Sequence, residues 1–511
     1  MKKGKQKCRQ SENSRMSSAQ TGRSAVALTR KSCGTEETMD RPAIVLITCD
    51  ELNKDVLGYY GGQAITTPNI DRLAQNGTNY QSFYTVSPWC LPARCAFLTG
   101  LYPHNSGAYS NFRKCALDQG IPNLFYAMQD GGYHTSVFGK CHFAPVPYSE
   151  TRPDKTLPYD TFKAYYESLG IDHLELEDDK QVSVWFYDNY SKELDEAGYL
   201  KAYRDAVWCK EYQKVFPFPA PTKWHPDVWV GQKAVSYINN YSKEKPLFTW
   251  ISFSGPHYTF DAPEEYWKQV DTTKLPEMKH LEGELDSPDR IFHDSYFGGK
   301  NANIDGCGQA KDHACKNYPK EYWDRLRTSY CANVKLIDDQ VGEICKAVSE
   351  KYGDNALIIF TADHGEMLGN HGIWGKHNCA YDEVWKIPLL IQYPGQKAGA
   401  VDTRMSNTTD ILPTCLKEAQ IPLLAGDGKP LQDSDWDRTY TFGEGEGYLA
   451  VTDGRYKYVH VQKGNEHGRE LLDLEADPNE FVNQIEKEEY QGVLAKLREK
   501  QIEHLLPAVL A

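Results

Sequence analysis

Ala43-Ile44-Val45-Leu46-Ile47-Thr48 carries no charge along its length and is followed at once by Cys49-Asp50-Glu51. An unbroken apolar run of this length, without polar alternation, suits a strand buried on both faces of a parallel sheet. Three more runs share the character: Thr135 to Phe138, Leu247 to Phe253 and Ala356 to Thr361. Helical patterns lie between them, including Asn69 to Gly77 and a long one from Tyr322 to Glu350. Strands alternating with helices predict an α/β fold, a large mainly parallel sheet sandwiched by helices. Each of the four runs also ends on groups able to do chemistry: Asp50; Lys140 and His142; His257; Asp363 and His364. Open α/β sheets bind ligands beyond the carboxyl ends of their strands, so these endings are expected to meet at one site.

Between the first two strands lies Cys90-Leu91-Pro92-Ala93-Arg94-Cys95-Ala96-Phe97-Leu98-Thr99-Gly100. Its spacing predicts a helix starting at Cys90. Pro92 then falls in the first turn, where a missing N–H costs nothing, and Gly100 closes the end. Arg94 lies one turn on, so its guanidinium and the free N–H groups of the first turn would favour an anion at position 90. Taken alone, a cysteine in such a place is a small core hydrophobe.

The chain has 511 residues, enough for a large core and more than one domain. Its net charge of −14 and lack of a broad basic face argue against a nucleic-acid partner. No stretch approaches the roughly 18 apolar residues of a membrane span. Fourteen cysteines are scattered without the dense framework of a small secreted scaffold. Residues 1–38 are basic and serine-rich but hold no apolar signal region, and read as a disordered tail or a misassigned start upstream of Met39. A cytoplasmic location is expected on that ground. Residues 39–425 read as the catalytic domain. Within it, Glu150 to Trp229 and Phe297 to Lys316 lack clean periodicity and read as insertions at a pocket rim. Residues 426–511 read as a smaller C-terminal α+β subdomain with an antiparallel sheet. Its strands are Thr439 to Phe442, Tyr448 to Thr452 and Tyr456 to Val461, with a turn at Asp453-Gly454 and a polar helix from Glu480 to Leu505.

Several motifs now fall in order: Thr67-Pro68-Asn69-Ile70-Asp71-Arg72-Leu73-Ala74, the Cys90 run, Gly139-Lys140-Cys141-His142 and Pro256-His257. Thr361-Ala362-Asp363-His364-Gly365-Glu366, Gly375-Lys376, Glu470-Leu471-Leu472-Asp473-Leu474 and Asp477-Pro478 follow. From about Arg41 to about Asn483 the chain resembles the sulfatases of the alkaline phosphatase superfamily. The resemblance implies an alkaline phosphatase-like fold and hydrolysis of a sulfuric ester. It also implies that a maturing enzyme oxidises Cys90 to formylglycine, an aldehyde whose hydrate attacks the ester. One divalent metal ion would be held by Asp50, Glu51, Asp363, His364 and the side chain at Cys90. Many relatives carry Asp or Gln where this chain has Glu51. Carboxylates suit Ca²⁺, and Mg²⁺ or Mn²⁺ are alternatives that this donor set accommodates. By the same resemblance, Arg94 and Lys140 hold the hydrate and His142 takes its second proton. His257 and Lys376 hold the sulfate and protonate the leaving oxygen, and Asn111 hydrogen-bonds the substrate anion. Singly, these residues have plainer roles: Asp363 and Asn111 as turn formers, Lys376 as a solvated charge.

The expected substrate is a sulfate ester of a small molecule or saccharide, with a lean toward carbohydrate. A rival is a phosphonate monoester or phosphodiester hydrolase of the same superfamily. It gains from Asp363-His364, Lys376 and Asn111, and loses because its members typically lack the Lys140 and His142 pair. A third reading is an unmatured binding protein in which Cys90 stays a thiol. Lesser features are Cys307 and Cys315 flanking His313, His371 and His377 near the metal motif, and the aromatic wealth from Trp185 to Trp229. Oligomeric state is not specified by any of these features.

Overall fold

The computed structural model describes residues 41–111, 115–145, 157–180, 186–207, 215–242, 244–298, 314–376, 378–463 and 466–510. Strand β1 (Ala43–Asp50) is buried along its whole length, as its unbroken apolar run requires. It joins β2 (Thr78–Tyr80), β3 (His134–Gly139), β4 (His173–Leu176), β5 (Leu247–Pro256), β6 (Ala356–Ala362), β7 (Leu389–Gln392) and β8 (Ala400–Asp402) in one eight-stranded sheet. The order across the sheet is β8-β2-β7-β6-β1-β5-β3-β4. The block β6-β1-β5-β3-β4 is parallel throughout, with Ile47 opposite both Ile251 and Phe360. β7 runs antiparallel to its neighbours β6 and β2. The mainly parallel α/β architecture read from the sequence is the one observed.

Helices α1 (Pro68–Asn76), α2 (Cys90–Thr99), α3 (Pro226–Asn240), α4 (Lys320–Tyr352) and α5 (Ile411–Glu418) cover the sheet. α3 and α4 pack on each other and on β5, while α2 rests on the β5 face that carries Trp250 and Ser252. All ten residues of α2 are buried, so this helix is part of the core rather than an amphipathic cover. Gly100 ends it at φ +67°, a left-handed cap in which its N–H bonds Ala96 O at 2.9 Å.

At one edge the large sheet differs from the expectation. The stretch taken as a rim insertion contains β4, which extends the parallel sheet beyond β3. His173-Leu174-Glu175-Leu176 is too short to show a period.

The C-terminal sheet is a meander of β9 (Thr441–Gly445), β10 (Tyr448–Thr452), β11 (Tyr456–Lys463) and β12 (Glu466–Asp473), followed by α6 (Gln491–Leu510). Gly454, at φ +94°, makes the β10–β11 turn. The sequence predicts only three of these strands and starts the helix at Glu480. Instead Glu480 sits at φ +61° with its carboxylate buried, and helix begins eleven residues later. Val451, Tyr458, Leu471, Ile485, Leu494 and Leu497 form a small core between sheet and helix. Among the described residues, no helix is long and apolar enough to cross a membrane.

Lys457 joins the two parts. Fully buried on β11, its Nζ donates to Ala380 O and to Glu480 Oε1, both at 2.8 Å, and pairs with Asp382 at 2.5 Å. Burial raises the Glu480 carboxyl to about 7, against the pull of Lys457. Lys457→Ala would strand the buried Glu480 carboxylate, and removing one partner of such a group costs about 3–5 kcal/mol. Urea unfolding at neutral pH should show a loss of that size.

Candidate functional site

The site grows from the ends of β1, β3, β5 and β6 together with the first turn of α2. Asp50 closes β1, and Asp363 and His364 follow β6 directly. The ligand atoms of Asp50, Cys90, Asp363 and His364 all lie within 4.8 Å of one another, and all four residues are buried. Cys90 Sγ is 3.2 Å from His364 Nε2, 3.2 Å from Lys376 Nζ and 3.6 Å from Asp50 Oδ1. Position 90 is therefore the point on which this edge of the sheet converges.

Arg94 organises the cluster. Its Nε donates to Asp363 Oδ2 at 2.9 Å and its Nη2 to Asp50 Oδ2 at 3.1 Å. Nη1 donates to Lys140 O at 2.8 Å and to Ser252 Oγ at 2.7 Å. Lys140 Nζ, also fully buried, bridges Asp50 Oδ2 and Asp179 Oδ2 at 2.5 Å each. Burial alone would raise the Asp50 carboxyl. Lys140, with Arg94 and Lys376, overcomes that and holds it well below the usual carboxylate range. Cys90 feels the opposite balance: burial, then the Asp50 charge, push its thiol well above the ordinary range despite Lys376 and Lys140. Left unmodified, Cys90 is a neutral thiol and a weak nucleophile.

Glu51 stands apart from the four-donor cluster. Its backbone turns at φ +62°, with N–H on Asp363 Oδ1 at 3.1 Å and C=O on the Tyr330 hydroxyl at 2.6 Å. The turned carboxylate puts Oε2 3.2 Å from both Lys376 Nζ and His257 Nε2. Burial raises this carboxyl well above its normal range, opposed by Lys376 and reinforced by Glu366. Among the described residues no donor reaches its buried Oε1, and the neighbouring Glu366 carboxyl favours a proton there, so this oxygen is left for a proton or a cation. Ligand atoms of Asp50, Glu51 and His257 also come within 4.8 Å of one another. Two carboxylates, an imidazole and position 90, with this extra oxygen beside them, fit a single divalent cation.

His257 follows β5, and its Nδ1 lies 2.5 Å from Tyr258 O, which fixes the ring. Burial, then Lys376 and Lys140, lower its pKa well below 6.5. His142, beyond β3, sits at φ +50° and is likewise lowered, by burial first and then by Lys140. Both imidazoles are neutral at pH 7. Asn111 Oδ1 accepts the Leu91 N–H at 2.9 Å, which makes it the missing side-chain cap of α2. That oxygen holds the helix start.

Three partners escaped the sequence reading. Asp178 Oδ1 accepts the N–H groups of Cys141 and His142, at 3.2 and 2.7 Å, and so holds the turn that carries His142. Asp179 neutralises Lys140, and Ser252 receives Arg94. The acidic run Glu177-Asp178-Asp179 follows β4 as Asp50 follows β1, so the same strand-end rule identifies it once β4 is known. Ser252 lies inside a strand, where no such rule applies. Of the lesser features, His371 bonds Glu284 Oε2 at 2.6 Å and stacks on Tyr381, in a separate structural pair. Cys307, His313, His377 and Trp185 lie outside the described residues.

Comparison with known proteins adds four findings. The family model described as Sulfatase matches residues 42–421. The arylsulfatase of Clostridium perfringens (strain 13 / Type A) is 28% identical over 486 residues, 91% of this chain and 94% of that protein. The Delta 4,5-hexuronate-2-O-sulfatase of Bacteroides thetaiotaomicron is 24% identical over 500 residues, 91% of this chain and 89% of that protein. Among solved structures, the phosphonate monoester hydrolase of Agrobacterium radiobacter superposes with a TM-score of 0.74 at 23% identity. The match covers 92% of this chain and 96% of that one.

Asp178→Ala would leave two buried backbone N–H groups unbonded, each worth about 1–3 kcal/mol. Chemical denaturation should register a combined loss of about 2–6 kcal/mol. Amide exchange at Cys141 and His142 should accelerate while α4 stays protected.

Proposed function

The chain belongs to the sulfatase family, and from that premise we propose that it hydrolyses an organic sulfate ester after a maturing enzyme oxidises Cys90 to formylglycine. One observation carries the reading: position 90 lies at the start of α2, within 3.6 Å of Asp50 Oδ1 and 3.2 Å of both His364 and Lys376. A neutral thiol in this place is a poor nucleophile, and an aldehyde hydrate there supplies an oxygen nucleophile instead.

The cation that Asp50, Asp363, His364 and position 90 would hold is assigned as Ca²⁺, with Mg²⁺ or Mn²⁺ as alternatives. When bound it neutralises charge on the sulfate oxygens and favours the ionised nucleophile. The chain's own groups do the rest. Arg94 and Lys140 hold Asp50 ionised and fix its direction. Lys376 supplies positive charge next to position 90, and with His257 it steadies the sulfate and the leaving oxygen. His142, neutral at pH 7, accepts the proton whose loss releases sulfate. Glu51 positions His257 and Lys376, and its open Oε1 makes it an additional ligand for the cation. Asn111 acts through the α2 terminus that it caps.

A saccharide sulfate is the favoured substrate class, supported by the relative named for a hexuronate 2-O-sulfate. Lys140 and His142 beside the site favour sulfate over phosphonate esters. The test has two parts. Mass spectrometry of the peptide containing Cys90, after expression with a maturing enzyme, should find the aldehyde. An unmodified thiol there would leave a binding protein without turnover. On a panel of aryl, choline and saccharide sulfates and aryl phosphonates, the sulfates should turn over faster, and a preference for phosphonate would reverse the assignment.

His142→Ala should keep a first-turnover burst while steady-state turnover falls by about 10²–10⁴-fold. Full turnover in that variant would remove His142 from the reaction. Its acid-depressed pKa also sets a sign. The neutral, accepting form persists as pH falls through 6.5 and is lost only below it, so the acid limb of kcat/KM should lie below pH 6.5.

A further inference from the structure

His104, Glu444 and His504 come from three separate parts of the chain: the short helix Pro103–Ser106, β9 and α6. Their ligand atoms lie within 4.8 Å of one another. We propose that this cluster is a second metal site, which takes a zinc-class divalent cation and fastens α6 to the catalytic domain.

The donor geometry is the first argument. His104 Nδ1 is 2.7 Å and His504 Nε2 2.5 Å from the same oxygen, Glu444 Oε1, so two ring nitrogens aim at one point. Glu444 Oε2 accepts the His104 N–H at 2.9 Å, which fixes the carboxylate against the short helix. Zinc bonds of about 2.0–2.1 Å in a tetrahedron place donors roughly 3.3 Å apart. The two contacts therefore need to widen by less than about 1 Å to admit the ion.

The surroundings are the second argument. His504 lies flat on Phe442, with ring centroids 3.8 Å apart and planes at 4°, and meets Tyr102 edge-on at 4.5 Å. His104 stacks near-parallel to Tyr102 with centroids 6.1 Å apart, and its ring meets that of His504 edge-on at 4.8 Å. The aromatic rings restrict both imidazoles to one orientation, as a metal site requires. All three side chains are largely buried, at 14%, 6% and 10% exposure for His104, Glu444 and His504. A cavity of about 370 Å³, bordered by His104, Tyr109, Glu444, Tyr448 and His460, opens beside them. It offers access for the ion and room for a water in the fourth position. Two imidazoles and one carboxylate with an open position are a donor set suited to Zn²⁺.

The location gives the site its role. α6 otherwise rests on the C-terminal sheet, through Leu494, Leu497 and the Gln501 bond to Leu449 O at 3.1 Å. Near its C-terminal end, at His504, it meets the short helix Pro103–Ser106. No residue is shared with the cluster around Cys90, so the outcome here is independent of the sulfatase reading.

The test is a Zn²⁺ titration of the chelator-stripped full chain against a chromophoric competitor, alongside His504→Gln. The wild type should bind one equivalent more than the variant, and Co²⁺ should give visible bands that the variant lacks. Amide exchange across α6 should slow with Zn²⁺ in the wild type only. Equal stoichiometry, with no Zn²⁺-dependent protection of α6, would overturn the proposal and leave a hydrogen-bonded clasp. Should His504→Gln fail to fold, Asp50→Asn, which lacks a donor of the other cluster, decides. A retained Zn²⁺ equivalent with a two-histidine X-ray absorption signature supports the site, and loss of all tight binding overturns it.

Discussion

One guanidinium sets the geometry of the site. Arg94, fully buried, bonds Asp50 at the end of β1, the Lys140 carbonyl beyond β3, Ser252 within β5 and Asp363 beyond β6. Those are four adjacent strands of the sheet. A planar fork with fixed donor directions tolerates little change in the spacing of its partners. The carboxyl ends of the strands are therefore locked to α2, and α2 brings Cys90 to the same place. Burying such a cation is costly unless it is paired, and here two carboxylates provide the pairing.

The remaining charges follow from that arrangement. Lys140 and Lys376 bring two further buried cations, which face Asp50, Asp179 and Glu51. The same field holds Asp50 ionised and keeps His142 and His257 neutral. Opposite behaviour in neighbouring groups results from burial acting with one set of fixed charges. Backbone turns complete the arrangement. Glu51 and His142 both stand at positive φ, and their N–H groups donate to the Asp363 and Asp178 carboxylates, which holds the two turns in place.

The C-terminal sheet is tied to this core by ion pairs together with apolar packing. Lys457 reaches from β11 to Asp382 and Glu480, and Arg290 joins Glu470 and Tyr381. Tyr84, Trp385, Tyr448 and Val459 supply a smaller apolar contact alongside. A buried ionic joint of this kind specifies one docking geometry, because any shift leaves a charge unpaired.

The parallel sheet, its four principal strands, the helix that begins at Cys90 and nearly every group now found around it were legible in the sequence. They were so because buried parallel strands are unbroken apolar runs, and because their polar endings must emerge at one edge. Edges and turns were less legible: β4 was too short to show a period, and the first turns of the expected C-terminal helix gave way to a loop once Glu480 was drawn into the pair with Lys457. Only tertiary structure decided that Asn111 caps α2, that Glu51 turns toward His257 and Lys376, and that Asp178 and Asp179 support the opposite side. Those assignments depend on distances between residues far apart in the chain, and local pattern carries no information about such distances.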